Sequence, residues 1–258
     1  MSWKINRVSD ARIKDPVLIE GLPGVGNVGK IATDFIIDSI GAKKIFEITS
    51  YNLPHCVFVN EDNLVELPAI EIFYKNVGGR TLLLLAGDIQ PLDEPSCYEF
   101  CDQILDIIEG FKGKKEVITL GGIALERNPK NPKVYATAND QKIRKKYAGR
   151  ALNNNIYGLV GPIVGVSGLL VGLAGKRKIP AVSLLAETYG HPNHLGIRSA
   201  KEILRILNQN LRLKIDLTDL DSEIKDIEFE FETEERKLKR VGKLKKAAGS
   251  SRDFNYIG

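Results

Sequence analysis

Thr81-Leu-Leu-Leu-Leu-Ala86 is the segment that most restricts what this chain can become. Side chains on a strand alternate between its two faces, so a strand that is apolar at every position needs cover on both. A sheet with helices on both sides provides that cover. Four further runs read as strands: 16–21, 44–49, 69–74 and 180–185. A fifth, 116–120, closes on Gly121-Gly122. Between them, residues 27–40, 97–111, 167–174 and 199–211 carry apolar side chains at helical spacing. This alternation predicts an α/β fold, a three-layer α/β/α sandwich built on a mainly parallel sheet.

At 258 residues and 43% hydrophobic content, the chain has enough apolar material for one large α/β domain. A net charge of +4 is too mild to call for nucleic acid as a partner. Cys56, Cys97 and Cys101 lack a C-x-x-C motif and read as reduced thiols in a cytoplasmic protein. The opening MSWKINRVSD has no apolar core, so no signal peptide is expected. The apolar run 161–175 is shorter than the ~18–20 residues of a membrane span, so no membrane is expected as a partner.

After Leu217 the composition changes. Residues 221–235 are rich in acids and 236–246 in bases. Ile224, Ile227, Phe231, Leu238 and Val241 fit one face of a helix, although 227–231 also alternates like a strand. The expected organisation is a domain over 1–217, a charged helical extension over 218–248 and a flexible tail over 249–258.

Two phosphate-binding patterns overlap in Gly21-Leu-Pro-Gly-Val-Gly-Asn-Val-Gly-Lys-Ile-Ala32. Gly24-Val-Gly-Asn-Val-Gly29 is G-x-G-x-x-G, and Gly24 through Lys30 is G-x-x-x-x-G-K. Ile31 stands where a P-loop needs the hydroxyl that seats Mg²⁺. Glu47 lies inside its strand, where a dinucleotide site wants an acid at the strand end. The bland reading is that the glycines let a strand turn sharply into a tightly packed helix. Gly165-Val-Ser167-Gly168 resembles a nucleophile elbow without its last glycine. Glu187 and His191 or His194 follow in hydrolase order, but Ser167 is more simply a helix N-cap. His191-Pro-Asn-His194 has a proline where a metal-binding helix would run, and reads as loop. Gly24, Gly26, Lys30, Asp88 and Glu187 all fall near strand ends. In a parallel sheet those ends share the carboxyl edge where α/β proteins place ligands, so these residues form the candidate ligand pocket. A nucleotide- or nucleoside-binding enzyme is the alternative function they would serve.

A larger resemblance runs from residue 15 to about 210. The segments that carry it are residues 18–32, Gly87-Asp-Ile-Gln-Pro91, Leu120-Gly-Gly-Ile123 and Val134-Tyr-Ala-Thr-Ala138. It continues through 161–174, 182–188 and the helix at 199–207. In this order they resemble the archaeal branch of the proteasome assembly chaperone family. The resemblance implies a phosphorylase/hydrolase-like sandwich, homo-oligomers, and binding to proteasome α-subunits or the core particle. It implies no catalytic residue, no cofactor and no metal. In that family a C-terminal hydrophobic–Tyr–any-residue motif can dock on the core particle. Here Tyr256 is third from the end and follows Asn255, which departs from the motif. Phe254, Tyr256, Ile257 and Gly258 are the partner-binding candidates, with the two aromatics as anchors.

Overall fold

A computed structural model describes residues 3–147, 152–153, 161–218 and 220–222. The chain divides after Asp216, and the sheet with its helices belongs to the unit before that point. Of the predicted extension only Thr218 and residues 220–222 are described; the rest of it and the tail, with Phe254, Tyr256, Ile257 and Gly258, lie outside the described residues.

In chain order the main elements are β1 (Trp3–Arg7), β2 (Val17–Gly21), α1 (Val28–Ile40) and β3 (Lys43–Ser50). A small hairpin, β4 (Phe58–Val59) and β5 (Val65–Glu66), precedes β6 (Ile70–Val77), β7 (Arg80–Gly87) and α2 (Glu94–Glu109). Then come β8 (Glu116–Leu125), β9 (Val134–Ala138), α3 (Gln141–Tyr147), β10 (Leu152–Asn153), α4 (Val166–Lys176), β11 (Ala181–Tyr189) and α5 (Ile197–Leu211). Nine strands form one sheet in the order β1-β3-β6-β7-β2-β8-β11-β9-β10. Its centre, β7-β2-β8-β11, is parallel. Towards the edges β1, β3, β6 and β7 pair antiparallel, as do β11 and β9, so the sheet is mixed.

The mixture has a local cause at β6 and β7. Gly78 and Gly79 have φ of 58° and 82°, and Val77 pairs with Arg80 across them. Two consecutive residues at positive φ make the tight turn whose twist suits a hairpin, so these strands must run antiparallel. Strand β8 also runs on through Gly121-Gly122 to Leu125, past the stop expected there. Strands β1 and β9 and helix α3 add to the elements read from the sequence.

Helices α2 and α4 pack together on one face of the sheet, and α1 and α5 on the other. Leu18, Leu83, Leu85, Val117 and Ala181 face the first pair, in a core with Phe100, Ile104, Leu105 and Leu170. The alternate residues Val17, Ile19, Leu82, Leu84 and Val182 are buried too, as strand geometry requires of a sheet covered on both sides. Each of the four leucines 82–85 contributes roughly 1.5–3 kcal/mol by its burial. Helix α2 starts where the Asp93 side chain accepts the Ser96 backbone N–H at 3.0 Å. At the far end of α4, Arg177 reaches Asp102, Asp106 and Glu109 of α2 at 2.5–2.9 Å and fastens the two helices together.

The amino edge of the parallel strands is closed by charge. Glu116, the first residue of β8, accepts from Arg80 at 3.0 Å, from Lys146 at 2.7 Å and from the buried Tyr147 hydroxyl. Burial pushes the Glu116 carboxyl up, but Lys146, Tyr147 and Arg80 outweigh it and hold the group below its ordinary value. Removing the carboxylate strands the buried Tyr147 hydroxyl, while Arg80 and Lys146, each about a third exposed, turn to water. Glu116→Ala is therefore expected to lose about 2 kcal/mol in urea unfolding at neutral pH. A carboxyl of depressed pKa stabilises above its unfolded pKa, so the gap between wild type and variant should close as pH falls through the acid range.

Candidate site at the carboxyl edge

Strand β2 ends at Gly21, and the chain turns through Leu22-Pro23-Gly24 and a 3-10 turn, Val25–Asn27, into α1. The turn is tight because backbone lies on backbone. A Cβ on Gly29 would stand 2.5 Å from the Leu120 carbonyl oxygen, and one on Gly21 would stand 2.2 Å from the Gly29 carbonyl oxygen. Gly26, at φ 61°, gives its carbonyl to the Gly196 N–H at 2.7 Å, which ties the turn to the start of α5. Gly24 has nothing within 4 Å of such a Cβ. Of the motif's glycines Gly29 thus serves close packing, together with Gly21 ahead of the motif, and Gly26 serves a left-handed bend.

Beside this turn a cleft of about 680 Å³ opens over the ends of β2, β7 and β8. Its walls include Leu22, Val25, Tyr98, Ile123, Ile163 and Leu169. Gln90 braces it, donating to the Pro23 carbonyl at 2.7 Å and accepting from the Val166 N–H at 3.4 Å. Ser167 reaches its floor. The first turn of α4 places that hydroxyl 2.8 Å from Glu20 Oε2, to which it donates, and 3.4 Å from the Leu120 carbonyl. The helix is capped at Gly165, so Ser167 is not its N-cap.

Glu20 is fully buried, and its other oxygen accepts the Leu22 N–H at 3.1 Å. Burial raises its pKa to about 7, against the lowering effect of Leu22 and Ser167. In register beside it are Thr119 and then Ser183 on the neighbouring strands. Both are buried, and neither hydroxyl has a partner among the described residues. A polar row therefore crosses the middle of the sheet beneath α4. Sequence reading missed it, yet each of three apolar strands carries one polar residue at this level. The Ser167 hydroxyl is engaged by acceptors only, Glu20 and a carbonyl. Among the described residues no imidazole is hydrogen-bonded to that hydroxyl, so the arrangement holds a proton in place without the relay of a hydrolase.

The other sequence candidates separate. Gly24 lines the cleft. Lys30 lies 3.0 Å from Asp34 and 3.6 Å from Asp88, whose second oxygen accepts the Ala69 N–H. Glu187 accepts from the Tyr135 hydroxyl at 2.9 Å and from the Lys133 N–H at 3.1 Å. Lys30 and Asp88 are thus brought together, while Glu187 is committed to the β9 side. His191 and His194 pack on Tyr189, with ring centroids 5.6 and 5.5 Å away.

Two substitutions separate packing from ligand roles in the glycine turn. Gly29→Ala should cost about 2 kcal/mol or more by overpacking, and Gly24→Ala less than about 0.5 kcal/mol, in the same unfolding assay. Glu20 gives a pH signature. An acid with raised folded pKa costs nothing below its unfolded value of 4.5 and becomes destabilising as pH rises towards 7. From pH 5 to pH 8 wild type should lose about 2–3 kcal/mol relative to Glu20→Gln; parallel pH profiles would contradict a buried ionising Glu20.

The model of the PAC2 family matches residues 18–234. Among solved structures, the fold is similar to Pyrococcus furiosus PbaB, an archaeal proteasome activator, with TM-score 0.81 and 30% identity over 91% of this chain and 99% of that one. It is also similar to Pyrococcus furiosus PbaA, an archaeal homolog of proteasome-assembly chaperone, with TM-score 0.75 and 22% identity over 95% and 97% of the two chains. The uncharacterized protein MJ1210 of Methanocaldococcus jannaschii is 28% identical over 95% of this chain and 93% of its own length.

Proposed function

This chain belongs to the PAC2 family, and we propose that it is a non-enzymatic, chaperone-like binding protein that engages proteasome α-subunits or the core particle as a homo-oligomer. The observation that carries the reading is the likeness to PbaB, which extends over 99% of that chain at 30% identity. PbaA, with a similar fold, supports the chaperone side of it. The separation of Lys30 and Asp88 from Glu187 favours binding over catalysis, since no convergent set of reactive groups forms from them.

In this proposal the contact is made by Phe254, Tyr256, Ile257 and Gly258, which come after the charged extension in sequence. Several tails on one assembly would engage equivalent pockets of a ring and gain avidity from effective concentration, without a large interface at any one of them. The test is capture of purified core particle by the full chain and by a chain ending at Gly249. The full chain should retain the particle, and truncation should reduce capture at least about tenfold. Equal capture by both would move the contact to the folded domain. No capture by the full chain would overturn the proposed function.

A further inference from the structure

The large apolar side chains exposed among the described residues are distributed unevenly. All but Val8 stand on connections at the carboxyl edge of the parallel strands or, for Tyr98, near the start of α2 beside the cleft. Tyr51 is 97% exposed at the end of β3, and Leu67 79% exposed ahead of β6. Leu92 and Val164, at 78% and 84%, rim the cleft. Apolar exposure gathered along one edge of a sheet marks an interaction surface, which singly scattered apolar residues would not.

Part of this surface is a built projection. The hairpin β4–β5 is shaped by Asn60, whose side-chain oxygen accepts the N–H groups of Asp62 and Leu64 and whose amide donates to Glu66 at 2.7 Å. Val59 pairs with Val65 on one of its faces, and Phe58 lies opposite Glu66 on the other. All three apolar residues are exposed. Two strands of two residues each do not hold an apolar ribbon in water unaided, so this ribbon calls for a lasting cover.

Charge indicates what the cover is. Residues 51–68 contain Glu61, Asp62 and Glu66 and no Lys or Arg. The connection 126–133, at the same edge between β8 and β9, contains Arg127, Lys130 and Lys133 against one acid, Glu126. In strand order the hairpin stands over β3 and β6, and the basic connection over β8, β11 and β9. The midpoint between them falls at β7 and β2, beside the cleft. A second copy turned by 180° about that midpoint sets each acidic hairpin on the other's basic connection, and both contacts form at once. Such a self-complementary patch is the requirement of a two-fold interface.

We propose that the carboxyl edge of the sheet is the surface through which two copies of this chain meet face to face, with the β4–β5 hairpin of each against the 126–133 connection of the other. This rests on the homo-oligomer of the proposed function and names its interface. The test is molar mass by light scattering over micromolar concentrations. Wild type should be a dimer or a multiple of one. Val59→Asp with Val65→Asp should raise the dissociation concentration at least tenfold, and so should Arg127→Glu with Lys130→Glu. Adding Glu61→Lys and Asp62→Lys to the latter pair should restore assembly, because acid and base have exchanged places. The valines lie outside the main sheet, so thermal midpoints should stay near wild type; the charge exchange gives an answer even where they do not. A monomeric wild type, an assembly untouched by the aspartates, or no recovery on charge exchange overturns the inference. Core-particle capture by the same samples keeps the two proposals apart. Assembly through this edge without capture overturns only the proposed function. Capture by the Val59→Asp, Val65→Asp chain, with wild type assembling no differently from it, overturns only the interface.

Discussion

The first turn of α1 lies on bare backbone, and the geometry of the carboxyl edge depends on that contact. Gly29 meets the Leu120 carbonyl, and Gly21 meets Gly29, with no side chain between them. This close seat brings Gly26 within reach of Gly196 and so fixes where α5 begins. It also sets Val25 beside Gly122, where the Val25 carbonyl oxygen leaves no room for a Cβ. A methyl group at the seat would lift the helix from the sheet, and the turn, the start of α5 and one wall of the cleft would move with it. Interiors packed at crystal-like density transmit such shifts instead of absorbing them.

The two ends of the central strands have opposite chemistry. At the amino end Glu116 gathers Arg80, Lys146 and Tyr147 into one satisfied group, with Asp15 accepting the Lys114 N–H at 2.7 Å nearby. At the carboxyl end apolar side chains stand in solvent around the cleft. This chain thus has one edge that is finished by its own residues and another where, among the described residues, apolar side chains face solvent. That asymmetry is more informative than the glycine motif, because it locates surface and not a signature.

How much of this was legible in the sequence depended on the range of the interaction. The leucines 82–85 declared a sheet covered on both faces, because alternation is a property of one strand. The family resemblance, resting on ordered segments over most of the chain, pointed to the same sandwich. The antiparallel wing was written in Gly78-Gly79, but its meaning appears only once residues 69–74 and 81–86 are treated as a pair. The site was harder. Lys30 and Asp88 do meet, yet Glu187 turns to Tyr135, and the choice is made by side-chain directions that no spacing records. Glu20 escaped notice because one acid in an apolar strand means little until Thr119, Ser183 and Ser167 are seen around it. Those four residues span positions 20 to 183, and only the strand order brings them together.

That strand order also has a consequence in time. Strand β2 occupies the middle of the sheet, but its neighbours β7 and β8 begin at Arg80 and Glu116. On a ribosome adding about 5–20 residues per second, β2 waits several seconds for its first partner. Meanwhile Val17, Leu18 and Ile19 have no sheet to join. Strands β6 and β7, joined by two glycines, can pair as soon as they emerge and then present β7 as a template. The first sheet edge available to β2 is therefore one made by local chemistry, and β2 joins it only by closing a long loop back towards the start of the chain.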